Sequence, residues 1–201
     1  MQNPKNILEL RKTGYPVDAQ FLQRWSPRSM SGGHLNRSTL MTLLEAARWA
    51  PSSGNSQPWR FVFGLRPTSG FNNLLEVLNP GNRVWCAQAG ALILITSQTW
   101  MERKGQRMPL PTHAFDAGAA WMSLALQGSS MNLVVHAMAG FDPVKAREVV
   151  SLPEGIEPQA MIAVGFPAPL DQLPESLRDR EKPSERKPVS EFAFEERWPE
   201  V

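Results

Sequence analysis

Residues 115–133 lack a continuous polar face, and this constrains the fold more than any other stretch. Ala117, Ala119, Ala120, Trp121, Leu124, Leu126 and Met131 spread apolar or small side chains nearly all round a helix. Such a helix is stable only in the middle of a domain or against a second subunit. The rest of the chain must therefore wrap it. The 201 residues suffice for one domain with a substantial core, so residues 1–201 read as a single unit.

The wrapping elements alternate only loosely. Asn3-Pro4 reads as a cap followed by proline at the first helical position, opening a short helix that ends by Gly14. Asp18 caps a second short helix, which stops before Pro27 because proline disfavours helical geometry in the residue before it. Ser31-Gly32-Gly33 is a loop. An amphipathic helix capped near Asn36 or Ser38 carries Leu40, Leu43, Leu44 and Ala47 on one face and ends at Pro51. Residues 59–65 read as a strand, 71–78 as a helix, and Asn79-Pro80-Gly81-Asn82 as a turn. The apolar run 91–96 is a strand buried on both faces. Residues 97–112, with charges and two prolines but no periodicity, read as a mobile loop. Ala139-Gly140-Phe141 is a turn, Asp142-Pro143 opens a helix, and 159–166 is the last strand. So few strands predict an α+β domain with a small central sheet rather than a doubly wound parallel one. Residues 167–201 are proline-rich and charged, yet they hold Phe192, Phe194 and Trp198. Three large aromatics predict a tail that packs on something.

Several function classes are excluded by what is missing. Cys86, the single cysteine, allows no internal disulfide, and its neighbours Trp85 and Ala87 suit a buried structural thiol. The net charge is +2 and mixed in sign along the chain, without the basic stripe of a nucleic-acid binder. No run is apolar enough for a membrane span, and the first residues lack a signal-peptide pattern, so a cytoplasmic protein is expected. G-x-G-x-x-G, the P-loop and the G-x-S-x-G elbow are all absent. His34, His113 and His136 lie in unrelated segments, so no metal is expected.

Two clusters carry chemistry. Arg24, Ser26 and Arg28 place two guanidinium groups and a hydroxyl at alternate positions after a helix. Arginine forks match the paired oxygens of a phosphate, although the same pattern also describes a charged surface strand. Pro51-Ser52-Ser53-Gly54-Asn55-Ser56-Gln57-Pro58-Trp59 combines short polar side chains with two stiffening prolines. It suits the edge of a heterocycle, or else it is a loop that caps its own ends.

Together these clusters resemble the FMN-dependent nitroreductase family. Arg24-Trp25-Ser26-Pro27-Arg28 looks like its R-[RH]-S-x-[RK] phosphate motif, and residues 45–59 look like its A-x-x-A-P-S-[SA]-x-N-x-Q-P-W stretch. Ala117-Gly118-Ala119-Ala120, Gly140-Phe141, Ala163-Val164-Gly165-Phe166-Pro167 and Arg186-Lys187-Pro188-Val189-Ser190-Glu191 resemble later family segments, in family order. The resemblance implies a three-layer α/β/α sandwich around a small, mixed, mostly antiparallel sheet, in a homodimer whose tails, residues 167–201, pack on the partner subunit. It implies FMN, with NADH or NADPH as donor. Hydride would reach the flavin in one half of a ping-pong cycle. A small acceptor such as a nitroaromatic, quinone or enone would take the electrons in the other.

By that resemblance, Arg24, Ser26 and Arg28 hold the phosphate and ribityl chain, alongside Trp25, and Arg186 and Lys187 close on the phosphate. Pro51, Ser52, Ser53, Asn55 and Gln57 approach from the other subunit. Asn82 contacts the ring, and backbone N–H groups near Ala139 and Gly140 face its reactive edge. No side chain is assigned an acid–base role, because the flavin carries the chemistry; His113 is a candidate for lining the pocket. Three positions depart from the family pattern. Trp25 stands where a basic residue is usual, Ala139 where some members have Glu, and residues 97–112 are short for a helical lid. Two alternatives stay open: an FMN-binding store or sensor without turnover, and a different flavin reaction on the same fold, such as dehalogenation or dehydrogenation.

Overall fold

The structure, a computed structural model, describes residues 4–199; the cap expected at Asn3 lies outside them. A four-stranded sheet is ordered β1-β2-β6-β5, from strands β1 (Trp59–Leu65), β2 (Ala91–Gln98), β5 (Val134–Met138) and β6 (Ile156–Gly165). Every neighbouring pair is antiparallel. The sheet is thus antiparallel throughout among the described residues, where a mixed one was expected. One row of partners, Val62, Leu94, Met161 and Met138, crosses all four strands and fixes the register.

Strand alternation makes the sheet two-sided. Ala91, Ile93 and Ile95 of β2, with Ile162, Val164 and Val135, pack on α3 (Arg37–Arg48) and α6 (His113–Ser130). Leu92, Leu94, Met161, Ala163 and Val134 face the opposite way. They pack on α4 (Ser69–Glu76), α5 (Pro80–Cys86) and α7 (Pro143–Val149). The result is three layers, with β2 buried on both faces as its apolar run predicts. Residues 4–10 form α1 (Pro4–Leu10), and α2 (Ala19–Gln23) follows.

The local sequence explains the boundaries. Asp18 caps α2 by accepting from the Gln20 N–H at 2.9 Å. Asn36 caps α3 through the Thr39 N–H at 2.7 Å, and Asp142 caps α7 through Val144 and Lys145. The central helix lies against the sheet at Gly128, where a Cβ would come within 2.3 Å of the Val135 side chain.

Two expectations change. Asn79-Pro80-Gly81-Asn82 is the start of α5, not a free turn: Asn79 is the cap and Pro80 the first helical residue. Residues 97–112 are not a loop without regular structure. Trp100–Arg103 (β3) and Gln106–Pro109 (β4) form a hairpin closed by Lys104 and Gly105, both at positive φ, the backbone of a tight two-residue turn. Trp100 lies under the Arg107 guanidinium, 4.1 Å from its ring centroid. The strand β5 was hidden because Val134-Val135-His136-Ala137-Met138 merges in sequence with the preceding helix. The tail adds a short helix, α8 (Glu175–Arg178).

Candidate functional site

After α2 the chain runs extended past Arg24, whose backbone sits at φ −70°, ψ 119°. Side chains alternate along such a segment. Trp25, Pro27 and Ser29 line a cavity of about 460 Å³ with Leu133, Val134 and Glu181. Arg24 and Ser26 lie outside that lining and bond to each other at 3.3 Å. No arginine lines the cavity, and its one charged group is a carboxylate, so an anion belongs on the arginine side.

The segment is pinned to β5. Buried His136 donates from Nδ1 to the Pro27 carbonyl at 2.9 Å and stacks on Trp85 with ring centroids 4.7 Å apart. Burial above all, then the nearby charges of Arg28 and Arg24, hold its pKa down at about 4, so the ring is neutral.

Electrostatically the arginines differ. Burial, then the charge of Arg186, lowers the Arg24 pKa. The Arg186 charge thus acts on Arg24, and its own guanidinium is bonded to Ser184. Arg11 is also present, its pKa lowered by burial, by Arg186 and by Arg24. Among the described residues Arg11, Arg24 and Arg186 have no carboxylate within ion-pair distance. Arg28 is held differently. Glu181 accepts from the backbone N–H groups of Arg28 and Ser29 at 2.8 Å and lies 4.0 Å from the Arg28 guanidinium. Lys187 turns to Glu191 at 3.1 Å and is exposed.

A second group sits at the end of β5. Asn82 donates to the Gly140 carbonyl at 3.0 Å, and the Asn79 N–H donates to the same oxygen at 3.1 Å. A Cβ on Gly140 would lie 2.4 Å from the Asn82 amide, so a larger residue would push that amide aside. Asn82, Ala139 and Gly140 are thus brought together.

The serine–asparagine loop lies elsewhere. Residues 51–57 lead into β1, at the opposite edge of the sheet from β5. Two strands intervene, a separation of about 14 Å at roughly 4.8 Å per strand. The loop is built stiffly. Gly54, Asn55 and Gln57 all have positive φ, near 50°. Ser52 Oγ accepts from the Gln57 N–H at 3.0 Å, and the Ser53 N–H donates to Asp116 at 3.2 Å. Asp116 is 3% exposed and also accepts from Thr112. Pro51, Ser53, Asn55 and Gln57 face outward, while Ser56 Oγ is buried and has no partner among the described residues.

Nearby, Ser97 Oγ accepts from Gln159 at 2.9 Å and shares a 2.7 Å hydrogen bond with His113 Nδ1. Ser97 is fully buried and anchors His113 at the start of α6.

The residues present fit a flavin mononucleotide: uncompensated guanidinium groups for a phosphate, and a rigid polar ridge and a backbone carbonyl–amide cluster for a heterocycle. Sequence reasoning missed Arg11, Glu181, His136 and Asp116. Only Asp116 left a signal, as a carboxylate in an otherwise apolar helix.

Comparison with known proteins agrees. The sequence model of the Nitroreductase family matches residues 21–68 and 71–166. A crystal structure described as an oxidoreductase containing FMN superposes with a TM-score of 0.91 at 39% identity, covering 94% of this chain and 96% of that one. A Desulfovibrio desulfuricans protein, provisionally named a nitroreductase and crystallised with FMN, superposes with a TM-score of 0.69 at 26% identity, covering 93% and 100%. A Streptococcus pyogenes serotype M6 protein provisionally named NAD(P)H nitroreductase is 25% identical over 183 residues, 76% of this chain and 85% of its own length. The chain belongs to the nitroreductase family.

Proposed function

We propose that the protein is an FMN-dependent NAD(P)H oxidoreductase that works as a cytoplasmic homodimer and reduces a small acceptor such as a nitroaromatic, quinone or enone. The carrying observation is the cluster of Arg24 and Arg186 at the β5 edge without a compensating carboxylate. Like charges gathered this way are stabilised by a bound anion, and the phosphate of FMN supplies one. Bound FMN provides hydride and electron transfer, chemistry that no side chain of this chain has.

The chain's own residues bind and orient. Arg24, Ser26 and Arg186 hold the phosphate, with Arg28 steadied by Glu181. Asn82 and the backbone at Ala139 and Gly140 meet the ring. The outward ridge of Pro51, Ser52, Ser53, Asn55 and Gln57 serves the partner's flavin, since it stands at the wrong edge of the sheet to serve its own. Fixed N–H donors at the ring stabilise developing negative charge without reorganising.

Surface chemistry supports two chains. Phe115 on α6 is 81% exposed and Trp49 after α3 is 75% exposed. In the tail, Phe192 and Trp198 are 62% and 74% exposed. Such aromatics on one protomer are stabilised by burial against a second. The FMN named for similar structures and the NAD(P)H named for the streptococcal relative support the cofactor and donor.

The test is the purified protein. We expect a yellow dimer that NADH or NADPH bleaches anaerobically and that an added acceptor recolours. A protein that stays colourless with added FMN refutes the flavin reading. One that binds FMN but is never bleached is a store or sensor.

A further inference from the structure

Arg11 lies outside the family match and in no motif, yet it enters the arginine cluster. It follows directly on α1, and its N–H donates to the Ile7 carbonyl at 3.0 Å. Its Nη1 donates to the carbonyls of Leu22 and Arg24 at 2.7 and 2.8 Å. These oxygens sit at the C-terminal end of α2, where carbonyls lack helical partners. The guanidinium thus reaches the base of the segment that carries Arg24 and Ser26. Its Nε is buried and has no acceptor among the described residues.

The charges of Arg186 and Arg24 both lower the Arg11 pKa, and that of Arg186 lowers the Arg24 pKa, so the three positive charges act on one another. None has a carboxylate in ion-pair range among the described residues. A merely structural clamp for two carbonyls needs only a neutral donor such as an amide. A third cation, half-buried beside half-buried Arg24 and exposed Arg186, adds repulsion in the free protein that a bound anion offsets. A phosphomonoester carries a charge of about −1.5 to −2 near neutral pH and has three acceptor oxygens.

We propose that Arg11 is a third phosphate-recognising arginine of the cofactor site, so that the N-terminal arm is part of the FMN site and selects the phosphorylated flavin over riboflavin. The inference rests on the FMN reading and deepens it. Arg11 acts by its charge on the phosphate while its Nη1 bonds hold the α2 end in place.

The test is fluorescence titration of apoprotein with FMN and with riboflavin, comparing the wild type with Arg11→Gln. Losing a charge-assisted contact weakens FMN binding about tenfold or more, and riboflavin binding stays within about twofold. Added salt should weaken FMN binding more steeply in the wild type than in the variant. Equal weakening of both flavins shows a structural clamp only and overturns the proposal, as does unchanged FMN binding. If Arg11→Gln does not fold by circular dichroism, Arg11→Lys carries the test. It keeps the charge, so FMN binding and its salt dependence should stay within about threefold of the wild type, and a larger, equal loss on both flavins shows a structural clamp and overturns the proposal. A wild type that binds neither flavin refutes the FMN reading itself, and the role of Arg11 with it.

Discussion

Acid should loosen this protein through His136. The ring is 9% exposed, donates to Pro27 and stacks on Trp85. Burial and the charges of Arg28 and Arg24 lower its pKa from 6.5 to about 4, against the opposing pull of the Pro27 and Ser26 carbonyls. The folded value lies below the unfolded one, so the unfolded chain binds the proton more readily. The contribution of the neutral ring is therefore complete above about pH 6.5 and is lost as pH falls toward 4. Between about pH 7.5 and pH 5 the single-site expression gives a loss of about 2 kcal/mol, a large share of a typical stability of about 5–15 kcal/mol. The assay is urea unfolding followed by tryptophan fluorescence, for wild type and His136→Asn. Asparagine keeps a donor for the Pro27 carbonyl and does not titrate, and all other groups titrate alike in both proteins. The wild type should lose about 2 kcal/mol relative to the variant over that range. A stability difference that does not move with pH refutes a buried neutral imidazole.

Three further outcomes are expected. Removing residues 183–201 should leave a colourless monomer by absorbance and analytical ultracentrifugation, because Arg186 and the exposed tail aromatics go together; a yellow dimer counts against the proposed tail. Gly128→Ala should destabilise by about 1–3 kcal/mol in chemical denaturation, since its Cβ would meet Val135 at 2.3 Å, and Val135→Ala in the same chain should restore most of that. Leu124→Ala, at a fully buried position between α3 and the sheet, should cost about 2–5 kcal/mol in the same measurement, and a loss under about 1 kcal/mol would contradict the packing.

Much of the fold was legible because local signals and packing agree. Asn36 and the Leu40, Leu43, Ala47 stripe mark α3, and the apolar run of β2 marks a strand covered on both faces. The failures share one cause: the deciding contact is distant or conformational. The hairpin at 97–112 depends on Lys104 adopting positive φ before Gly105, which lysine does not advertise. β5 is secured by its pairing with β6 and by Gly128, not by its own pattern. At the site, the arginine and serine–asparagine motifs were visible because each is contiguous. Arg11 and Glu181 were not, since each reaches the arginine segment through the fold, Glu181 from 153 residues away.

The placement of the two motifs also bears on the proposed sharing of the site between two chains. Helical layers cover both faces of the sheet, so no open path crosses it from the β5 edge to the β1 edge. A ligand gripped at the β5 edge would have to cross two strands, about 14 Å, beneath those helical layers to reach the loop before β1. The loop before β1 is nevertheless held as rigidly as a binding surface needs, with three positive-φ residues and a bond from the Ser53 N–H to buried Asp116. Strained, ordered backbone with its polar side chains turned outward is stabilised when something docks on it. The same helix that supplies Asp116 presents Phe115 to solvent one residue earlier. An apolar contact at Phe115 would thus carry the neighbouring ridge onto a second chain, and the sequence that buries α6 within one protomer would also aim its loop at the other.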